Sequence, residues 1–393
     1  MEEHRKTVEN HHWQRSRLAR SLFEFAFILA DRPIKQADYP SGPPRFDMKK
    51  VLIIRPSAIG DVVFATPFAA AVRRTYPDAH IAWLIEPGID ALIAHDPNIN
   101  QRIVWPKAEW KAMWREGKRA EVLRRVLALR RQLRESRFDT VLDLQGLMKS
   151  GFLAWLTSAP RRIGLGSREG SQLLMTDVVP RAGDEARISS EYLHLAQHLG
   201  LDCTDFMPHI EVDANTDSRA LARLKEHGLA PGRYAVFAAF TTRPQKHWFD
   251  DAWQQLAPMV RQRTGMTPVL LGGPSDRNVA ERIVAGAPHI VNLTGKTGLA
   301  ESAALIRHAG ALIGVDTGLT HMGIAFSVPT VAIFGSTIPY SDTGRRNARV
   351  IWLGLSCSPC HRKPSCGGRW TCLRAITAEQ VMQELAVAME SPA

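Results

Sequence analysis

The carboxylate of Asp61 stands in a turn where it could act as a general base. A β-branched run ends at Pro56, and the pair Gly60 and Asp61 then opens an apolar helical stretch at Val62. In an α/β protein such a turn lies at the carboxyl edge of a parallel sheet, where ligands bind. A carboxylate there either accepts a proton from a substrate hydroxyl or caps the helix that follows. The sequence by itself leaves both interpretations open.

A second candidate site follows the predicted strand Ala311–Val315. The next residues, Asp316, Thr317 and Gly318, open a helix, and His321 lies one turn further on. Free backbone N–H groups and the helix dipole make such an N-terminus a site for phosphate. We therefore expect Thr317 and Gly318 to bind an anion, with His321 facing the same site. Asp316 either caps the helix or accepts hydrogen bonds from sugar hydroxyls.

Further candidates on this side lie in loops after other predicted strands. Lys246 could neutralise the charge that develops on a departing phosphate, which lowers the barrier to bond cleavage. Thr241 and Thr242 supply hydroxyl donors in the same loop. Asp276 either caps a helix or holds a ribose or adenine. Residues 215–393 contain no Asp-x-Asp motif, so we expect no catalytic metal.

Polar and basic residues near the strand ends of the first half could bind a second, anionic substrate. Taken singly, each of them is equally consistent with a turn residue or an ordinary surface charge. Together they predict a cationic acceptor site. The candidates are Ser57, Gly60, Gln145, Lys149, Arg161, Arg162 and Arg168.

Positive charge is concentrated in one part of this 393-residue chain, whose formal net charge is +11. Residues 102–137 hold twelve Lys or Arg against four Asp or Glu, a local net charge of +8, interleaved with Trp105, Trp110 and Trp114. Such a stretch is either a solvated helix face or a surface for phosphorylated glycans or anionic lipid. The tryptophans favour the second interpretation. No recognised nucleic-acid-binding module accompanies the charge, so we expect no nucleic-acid partner.

Four of the five cysteines cluster late in the chain, and Cys203 stands alone. The cluster has the spacing C-x2-C-x5-C-x5-C and consists of Cys357, Cys360, Cys366 and Cys372. Thiolates at comparable spacing hold structural zinc, although a second C-x2-C would be more typical. A structural zinc, disulfides and unligated thiols are the alternatives, and none of them gives the cluster a catalytic role.

The alternation of strands and helices predicts an α/β protein with parallel sheets and right-handed crossovers. We expect two facing Rossmann-like domains, residues 48–215 and 216–393, with a cleft between them and an N-terminal extension over residues 1–47. A last helix is predicted over Ala378–Met389, with a capping box at its start. Neither half has a G-x-G-x-x-G fingerprint or a P-loop lysine motif, which argues against NAD-dependent and P-loop chemistry.

Within the extension, residues 22–30 are apolar and follow Arg15, Arg17 and Arg20. This segment is far shorter than the roughly 20 residues that span a bilayer. The start of the sequence also lacks the pattern of a secretory signal, so we expect a cytoplasmic protein. The alternatives for the segment are a helix at the membrane surface, a helix packed on the protein body, or a native start at Met48.

Four motifs together resemble the ADP-heptose:lipopolysaccharide heptosyltransferases of glycosyltransferase family 9. They stand in the order and spacing of that family, and the resemblance covers about residues 48–390. The motif over residues 314–321 is very characteristic, whereas the first alone would be weak. The motifs are RPSAIGDVV (55–63), DLQGLMKS (143–150), TTRPQKHW (241–248) and GVDTGLTH (314–321).

The resemblance implies a GT-B fold whose N-terminal domain binds the acceptor and whose C-terminal domain binds the donor. It implies inverting transfer of L-glycero-D-manno-heptose from ADP-heptose to Kdo or to the first heptose of the inner core. Asp61 would be the general base, and Lys246 would assist catalysis without a metal. The anionic lipid A-core acceptor would place the enzyme peripherally on the inner face of the inner membrane. Alternatives are a family-9 transferase for another sugar or core position, and a GT-B-type sugar-nucleotide epimerase.

Overall fold

The computed structural model describes residues 47–361 and 363–392. The predicted N-terminal extension lies outside these residues except for Asp47, and so does its apolar segment. No helix in the described part of the chain is both long and apolar enough to cross a bilayer. Two parallel sheets flanked by helices make up the fold, as the α/β prediction required.

The first sheet contains six parallel strands. They are β1 (Lys50–Ile54), β2 (His80–Ile85), β3 (Gln101–Val104), β4 (Thr140–Asp143), β5 (Arg161–Leu165) and β6 (Asp177–Val179). Their order is β3-β2-β1-β4-β5-β6, so the central strand β1 pairs Leu52 with Ala82 on one side and with Val141 on the other. This order reverses next to β1, and ligands bind at such a switch point.

Within the described residues, five helices accompany this sheet and cover both of its faces. They are α1 (Ile59–Thr75), α2 (Lys107–Arg115), α3 (Arg119–Glu135), α4 (Met148–Leu156) and α5 (Ser190–His198). One face of the sheet buries Phe68 and Tyr192 from α1 and α5. The other buries Leu129 and Leu153 from α3 and α4. Burial on both faces explains why the strands read as continuous apolar runs.

The second sheet repeats this arrangement. Its strands are β7 (Tyr234–Ala238), β8 (Thr267–Leu270), β9 (Val291–Asn292), β10 (Ala311–Val315), β11 (Thr330–Ile333) and β12 (Ala348–Ile351). They are parallel in the order β12-β11-β10-β7-β8-β9, with the switch point between β10 and β7. The turns after β10 and β7 therefore meet at one edge, and they carry the predicted donor residues.

Seven helices of the described chain surround the second sheet or lead into it. They are α6 (Ala214–Glu226), α7 (Asp250–Thr264), α8 (Arg277–Gly286), α9 (Leu299–Arg307), α10 (Gly318–Ala325), α11 (Thr371–Arg374) and α12 (Ala378–Glu390). The predicted capping box opens α12, where Thr377 accepts a hydrogen bond from the Gln380 N–H at 3.2 Å. The Gln380 side chain accepts one from the Thr377 N–H at 2.9 Å.

The structure differs from the prediction at several elements. Helix α1 begins at Ile59 rather than Val62, so Asp61 is its third residue. Strands β5, β6 and β12 were not predicted because their patterns are weak. Strand β5 opens with Arg161 and Arg162, β6 has three residues, and β12 is a partly exposed edge.

The two halves are joined by backbone pairing as well as by packing. The Ile188 N–H donates to the Asp342 carbonyl at 2.8 Å, and the Asp342 N–H donates to the Ala186 carbonyl at 2.6 Å. Val63 and Leu92 share a buried cluster with Ala304 and other residues around the second sheet. The two sheets therefore have a fixed relative placement, which brings α1 opposite α10.

Candidate active site

Asp61 lies in the first turn of α1 with one of its two carboxylate oxygens occupied. Its Oδ2 accepts a hydrogen bond from the Ala58 N–H at 3.1 Å and is 2.7 Å from Nη2 of Arg55. Oδ1 accepts no hydrogen bond from residues 47–361 or 363–392, and the side chain is 46% exposed. Asp61 therefore does close the first turn of the helix, while its second oxygen stays accessible to a substrate.

Arg55, the first residue of the motif over residues 55–63, is the residue that holds Asp61. Its side chain is 7% exposed, and Nη1 donates to the Leu144 carbonyl at 3.4 Å. The guanidinium lies 5.9 Å from the centre of the Tyr192 ring. The Arg55 carbonyl accepts a hydrogen bond from the Trp83 indole at 3.2 Å. A buried arginine fixed in this way gives the Asp61 carboxylate a single orientation.

Two glycines allow the N-terminal turns of α1 and α10 to touch. A Cβ on Gly60 would lie 2.5 Å from Cδ2 of His321, closer than Cβ atoms approach other atoms. A Cβ on Gly318 would overlap the side chain of Ile59. Because neither glycine has a side chain, the predicted base and the predicted donor site come together at the interface between the two halves.

His321 is buried at this interface, with both ring nitrogens paired. Nε2 lies 3.4 Å from Oδ1 of Asp316, and Nδ1 lies 2.7 Å from the Tyr340 hydroxyl oxygen. The ring packs 4.4 Å from the Phe64 ring of α1, measured between centroids. An Nε2–H tautomer donates to the carboxylate and accepts the hydroxyl proton of Tyr340. His321 therefore fixes Asp316 and also contacts the opposite half.

Asp316 is the centre of a charged network beyond β10. It forms an ion pair with Lys246 and accepts a hydrogen bond from the Thr337 hydroxyl at 2.6 Å. Burial acts to raise the pKa of the Asp316 carboxyl, but the His321 hydrogen bond and the Lys246 charge outweigh it. The pKa therefore lies well below its ordinary value, and Asp316 stays ionised.

The other predicted donor residues lie either in the loop before Lys246 or next to the start of a helix. Thr241 and Thr242 lie in the loop that leads to Lys246, and Thr242 is exposed. The Thr241 carbonyl is 2.7 Å from Nε2 of His247, which orders this loop. The Asp276 Oδ2 accepts the Gly273 N–H at 2.8 Å and so closes the short turn before α8, but the side chain caps no N–H group of that helix. Thr317 is the N-cap position of α10, but its side chain caps no N–H group.

A cationic group borders Asp61 on the side of the first sheet. Ser57 donates to Oε1 of Glu86 at 3.1 Å, and Lys107 donates to the same oxygen at 3.1 Å. Burial and the like charge of Lys107 lower the pKa of Lys149. Lys107 is therefore paired with Glu86, and Lys149 lies close enough to both for their charges to act on its amine. Glu86 and Lys107 were missed from the sequence, since neither stands in a recognisable motif.

Other predicted acceptor residues have mixed placements. Gln145 is buried and donates to the Ser57 carbonyl at 3.0 Å, so it positions the turn before α1. Arg162 donates to the Ala159 carbonyl at 2.5 Å and to the Leu174 carbonyl at 2.8 Å, which ties it to the protein instead of the cleft. Arg168 is exposed and Arg161 is half-buried.

The turn after β4 is held by Asp143, which is completely buried. Its carboxylate accepts hydrogen bonds from the N–H groups of Gln145 at 3.0 Å and Gly146 at 3.1 Å, and from the Ser150 hydroxyl at 2.9 Å. Burial raises the pKa of the Asp143 carboxyl despite these donors. The second motif therefore begins with a residue that shapes the loop.

The cysteine cluster gives no support to a structural zinc. Each of the four is a free thiol without a disulfide. In the described ranges, no group of three or more His, Cys, Asp or Glu residues is arranged to hold a metal ion. Burial raises the pKa of the Cys360 and Cys372 thiols, whereas the Trp370 backbone N–H lowers the pKa of the Cys366 thiol.

Two facing parallel sheets, with polar residues gathered where their carboxyl edges meet, define the fold class as GT-B. Solved structures support this fold. One is the glycosyl transferase family 9 protein of Veillonella parvula, with a TM-score of 0.72, 24% identity and coverage of 88% of this chain and 99% of that one. Another is the E. coli heptosyltransferase WaaC with ADP-2-deoxy-2-fluoro heptose, with a TM-score of 0.65, 24% identity and coverage of 86% and 99%.

Sequence comparisons identify the family. The model of glycosyltransferase family 9 (heptosyltransferase) matches residues 126–371. Lipopolysaccharide heptosyltransferase 1 of Pseudomonas aeruginosa is 29% identical over 319 residues, which cover 80% of this chain and 86% of that protein. The chain therefore belongs to glycosyltransferase family 9, and it is a heptosyltransferase of lipopolysaccharide core biosynthesis.

Proposed function

We propose that the protein transfers L-glycero-D-manno-heptose from ADP-heptose, with inversion, to Kdo or to the first heptose of the inner core. The observation that carries the proposal is the position of Asp61, whose free carboxylate oxygen lies beside the turn that opens α10. The heptose analogue in the related E. coli structure supports an ADP-heptose donor. The division into an acceptor domain (48–215) and a donor domain (216–393) belongs to the same proposal.

In the proposed reaction, Oδ1 of Asp61 accepts the proton of the acceptor hydroxyl. The oxygen attacks the anomeric carbon of the heptose from the side opposite the leaving group, and the bond from that carbon to the β-phosphate oxygen breaks. One bond forms as the other breaks, so the configuration inverts and ADP leaves with the bonding electrons. General-base catalysis of this kind contributes about 10²–10⁴-fold to the rate.

The charge on the departing ADP is stabilised by groups of the second half. Lys246 supplies a positive charge, and the N–H groups at Thr317 and Gly318 supply donors at the N-terminus of α10. In the free protein Lys246 is paired with Asp316, which holds the amine near the site. Donor binding then places the β-phosphate within reach of an already positioned cation. The chemistry asks for no metal in this scheme.

The acceptor is the anionic lipid A-core, held at the cytoplasmic side of the inner membrane. Lys107 and Lys149 favour an anionic sugar next to Asp61, because together they outweigh the single carboxylate of Glu86. Such a sugar carries a carboxylate in Kdo or a phosphate on a heptose. Ser57, Arg161 and Arg168 extend the same proposed site.

The direct test is to incubate the protein with ADP-heptose and two truncated lipid A-core acceptors, one ending in Kdo and one in a single heptose. Mass spectrometry should show the addition of one heptose to one of them, and NMR of the product should show the inverted anomer. Absence of transfer to both acceptors would refute the proposal. Transfer with retained configuration would refute the single-displacement mechanism alone.

A further inference from the structure

The outer faces of α3 and α4 expose large apolar side chains that nothing in the described chain covers. Leu123 and Leu127 on α3 are 58% and 51% exposed, and Phe152 and Trp155 on α4 are 37% and 41% exposed. We call these four residues the α3–α4 patch. Clustered exposed apolar residues of this size mark a site of protein or membrane contact.

The two helices pack side by side on the same face of the first sheet. Their inner faces bury Leu129 of α3 and Leu153 of α4 in the same core cluster. At their ends, the Arg134 guanidinium of α3 donates to the hydroxyl of Ser158, just after α4, at 2.7 Å. Phe152 and Trp155 stack with centroids 5.9 Å apart, and Leu123 and Leu127 lie one turn apart. The patch is therefore a fixed feature of the first half.

The α3 side of the patch is strongly basic. Helix α3 contains six arginines and two glutamates, a net charge of +4. Both glutamates are already paired, Glu121 with Arg124 and Arg125, and Glu135 with Arg131. Aromatic and aliphatic side chains flanked by arginine are suited to the interface of an anionic bilayer, where rings enter the headgroup layer and arginines meet lipid phosphates.

A second exposed apolar surface shows that hydrophobicity alone does not identify this one. On α12, Val387 and Met389 are 44% and 41% exposed. That helix carries three glutamates and no basic residue, and Glu379 and Glu384 pair with Arg263 and Arg349 of neighbouring elements, so the surface lacks the excess positive charge of α3. Charge therefore distinguishes the two surfaces and favours lipid at the α3–α4 patch.

We propose that the α3–α4 patch docks the protein on the surface of an anionic bilayer. This inference deepens the proposed function and rests on its lipid-anchored acceptor. Lys149, at the start of α4, belongs to the proposed acceptor site, and Trp155 lies six residues further along, about 9 Å at helical rise. Docking here would present an inner-core sugar, close to its lipid anchor, to Asp61.

Flotation of the full chain with lipid vesicles tests the docking without any sugar substrate. The protein should float with vesicles of phosphatidylcholine mixed with phosphatidylglycerol and remain unbound with phosphatidylcholine alone. The double variant L127S/W155S should bind the mixed vesicles about tenfold more weakly, since two apolar groups no longer leave water. The matched control V387S/M389S should bind like the unaltered protein, and thermal unfolding should show that both variants are folded.

Unchanged binding of L127S/W155S would overturn the proposal, as would equal binding to neutral and anionic vesicles. If the protein bound no vesicles and L127S/W155S abolished its self-association, the patch would instead be a contact with a second copy of the chain.

Activity measurements distinguish failure of this inference from failure of the proposed reaction. L127S/W155S should transfer normally to a soluble, delipidated core oligosaccharide and more slowly to acceptor embedded in mixed vesicles. If L127S/W155S lost vesicle binding but transferred normally to the embedded acceptor, the docking role would be refuted and the proposed reaction would be unaffected.

Discussion

Arg55 and Asp61 form an ion pair of 2.7 Å in which the arginine is buried and the aspartate is half exposed. The buried partner is fixed by the Leu144 carbonyl and the Tyr192 ring, so the exposed partner takes its direction from it. Arg55 is thus a positioning residue for the proposed base.

Replacing this arginine should disturb turnover more than binding. We expect R55Q to lower kcat about tenfold or more with little change in KM for ADP-heptose, because the carboxylate loses its fixed orientation. R55K, which keeps the charge without the planar fork, should recover part of the loss. The matched control is R349Q, which breaks the 2.7 Å pair with Glu384 on the second half. If R55Q and R349Q lowered kcat equally, Arg55 would not be a positioning residue.

Substitution of Asp61 distinguishes its role as a helix cap from its proposed role as a catalytic base. D61A should lower kcat by about 10²–10⁴-fold and unfolding free energy by about 1 kcal/mol, the usual cost of a lost helix cap. Asp213 caps α6 through the N–H groups of Asn215 and Thr216 and serves as the control. D213A should lose similar stability with normal kcat. Retained turnover in D61A would leave capping as the sole role of Asp61.

The contact between α1 and α10 can be tested by adding one methyl group. Alanine is ordinarily the better helix former by up to about 1 kcal/mol, yet G60A should destabilise the protein by about 1–3 kcal/mol because the methyl overlaps His321. Turnover should fall with it. G298A adds its methyl into open space and should be neutral in both denaturant unfolding and activity. A stabilised and active G60A would contradict the close approach.

The low pKa of Asp316 predicts a dependence of stability on pH. A carboxyl whose folded pKa lies below its unfolded value of about 3.9 stabilises the fold above that value and loses this contribution as pH falls through the folded pKa. K246M removes one cause of the depression, so it should shrink the acid-induced loss of unfolding free energy below about pH 4. It should also lower stability at pH 7. K118M, which breaks an exposed pair with Glu116, should leave the acid profile unchanged.

The same substitution tests the donor role of Lys246. K246M should reduce turnover of ADP-heptose while leaving the affinity for the acceptor unaltered, because the cation faces the leaving group in the proposed reaction. Steady-state kinetics with each substrate varied in turn would measure this. An effect confined to the acceptor would contradict the placement of Lys246.

The sequence was sufficient for the parallel α/β architecture because both sheets are buried on both faces, so their strands stand out as apolar runs separated by helices. The GT-B fold itself was implied by the family resemblance of the four motifs. Asp61, Asp316 and His321 could be selected because the turns after central strands carry ligand sites. The residues that pair with these side chains could not be predicted in the same way. Asp316 meets Lys246 and Thr337 only through the folding of distant loops, and Glu86 joins Ser57 to Lys107 from three different strand ends.

The cysteines show that a motif in the sequence is not enough to predict a zinc site. Spacing along the chain suggested a ligand set, but coordination depends on directions in space that spacing does not encode. Arg162 is a similar case, since its charge suggested an acceptor contact and its guanidinium instead binds carbonyls of its own half.

The contact of Gly60 with His321 and of Gly318 with Ile59 also constrains how this enzyme can change. Each glycine contacts a side chain of the other half, Gly60 that of His321 and Gly318 that of Ile59. A substitution at one of these positions therefore requires a compatible residue in the other half. A chimera that joins the first half of this chain to the second half of a relative should function only when the residues at positions 59, 60, 318 and 321 are inherited as a matched set.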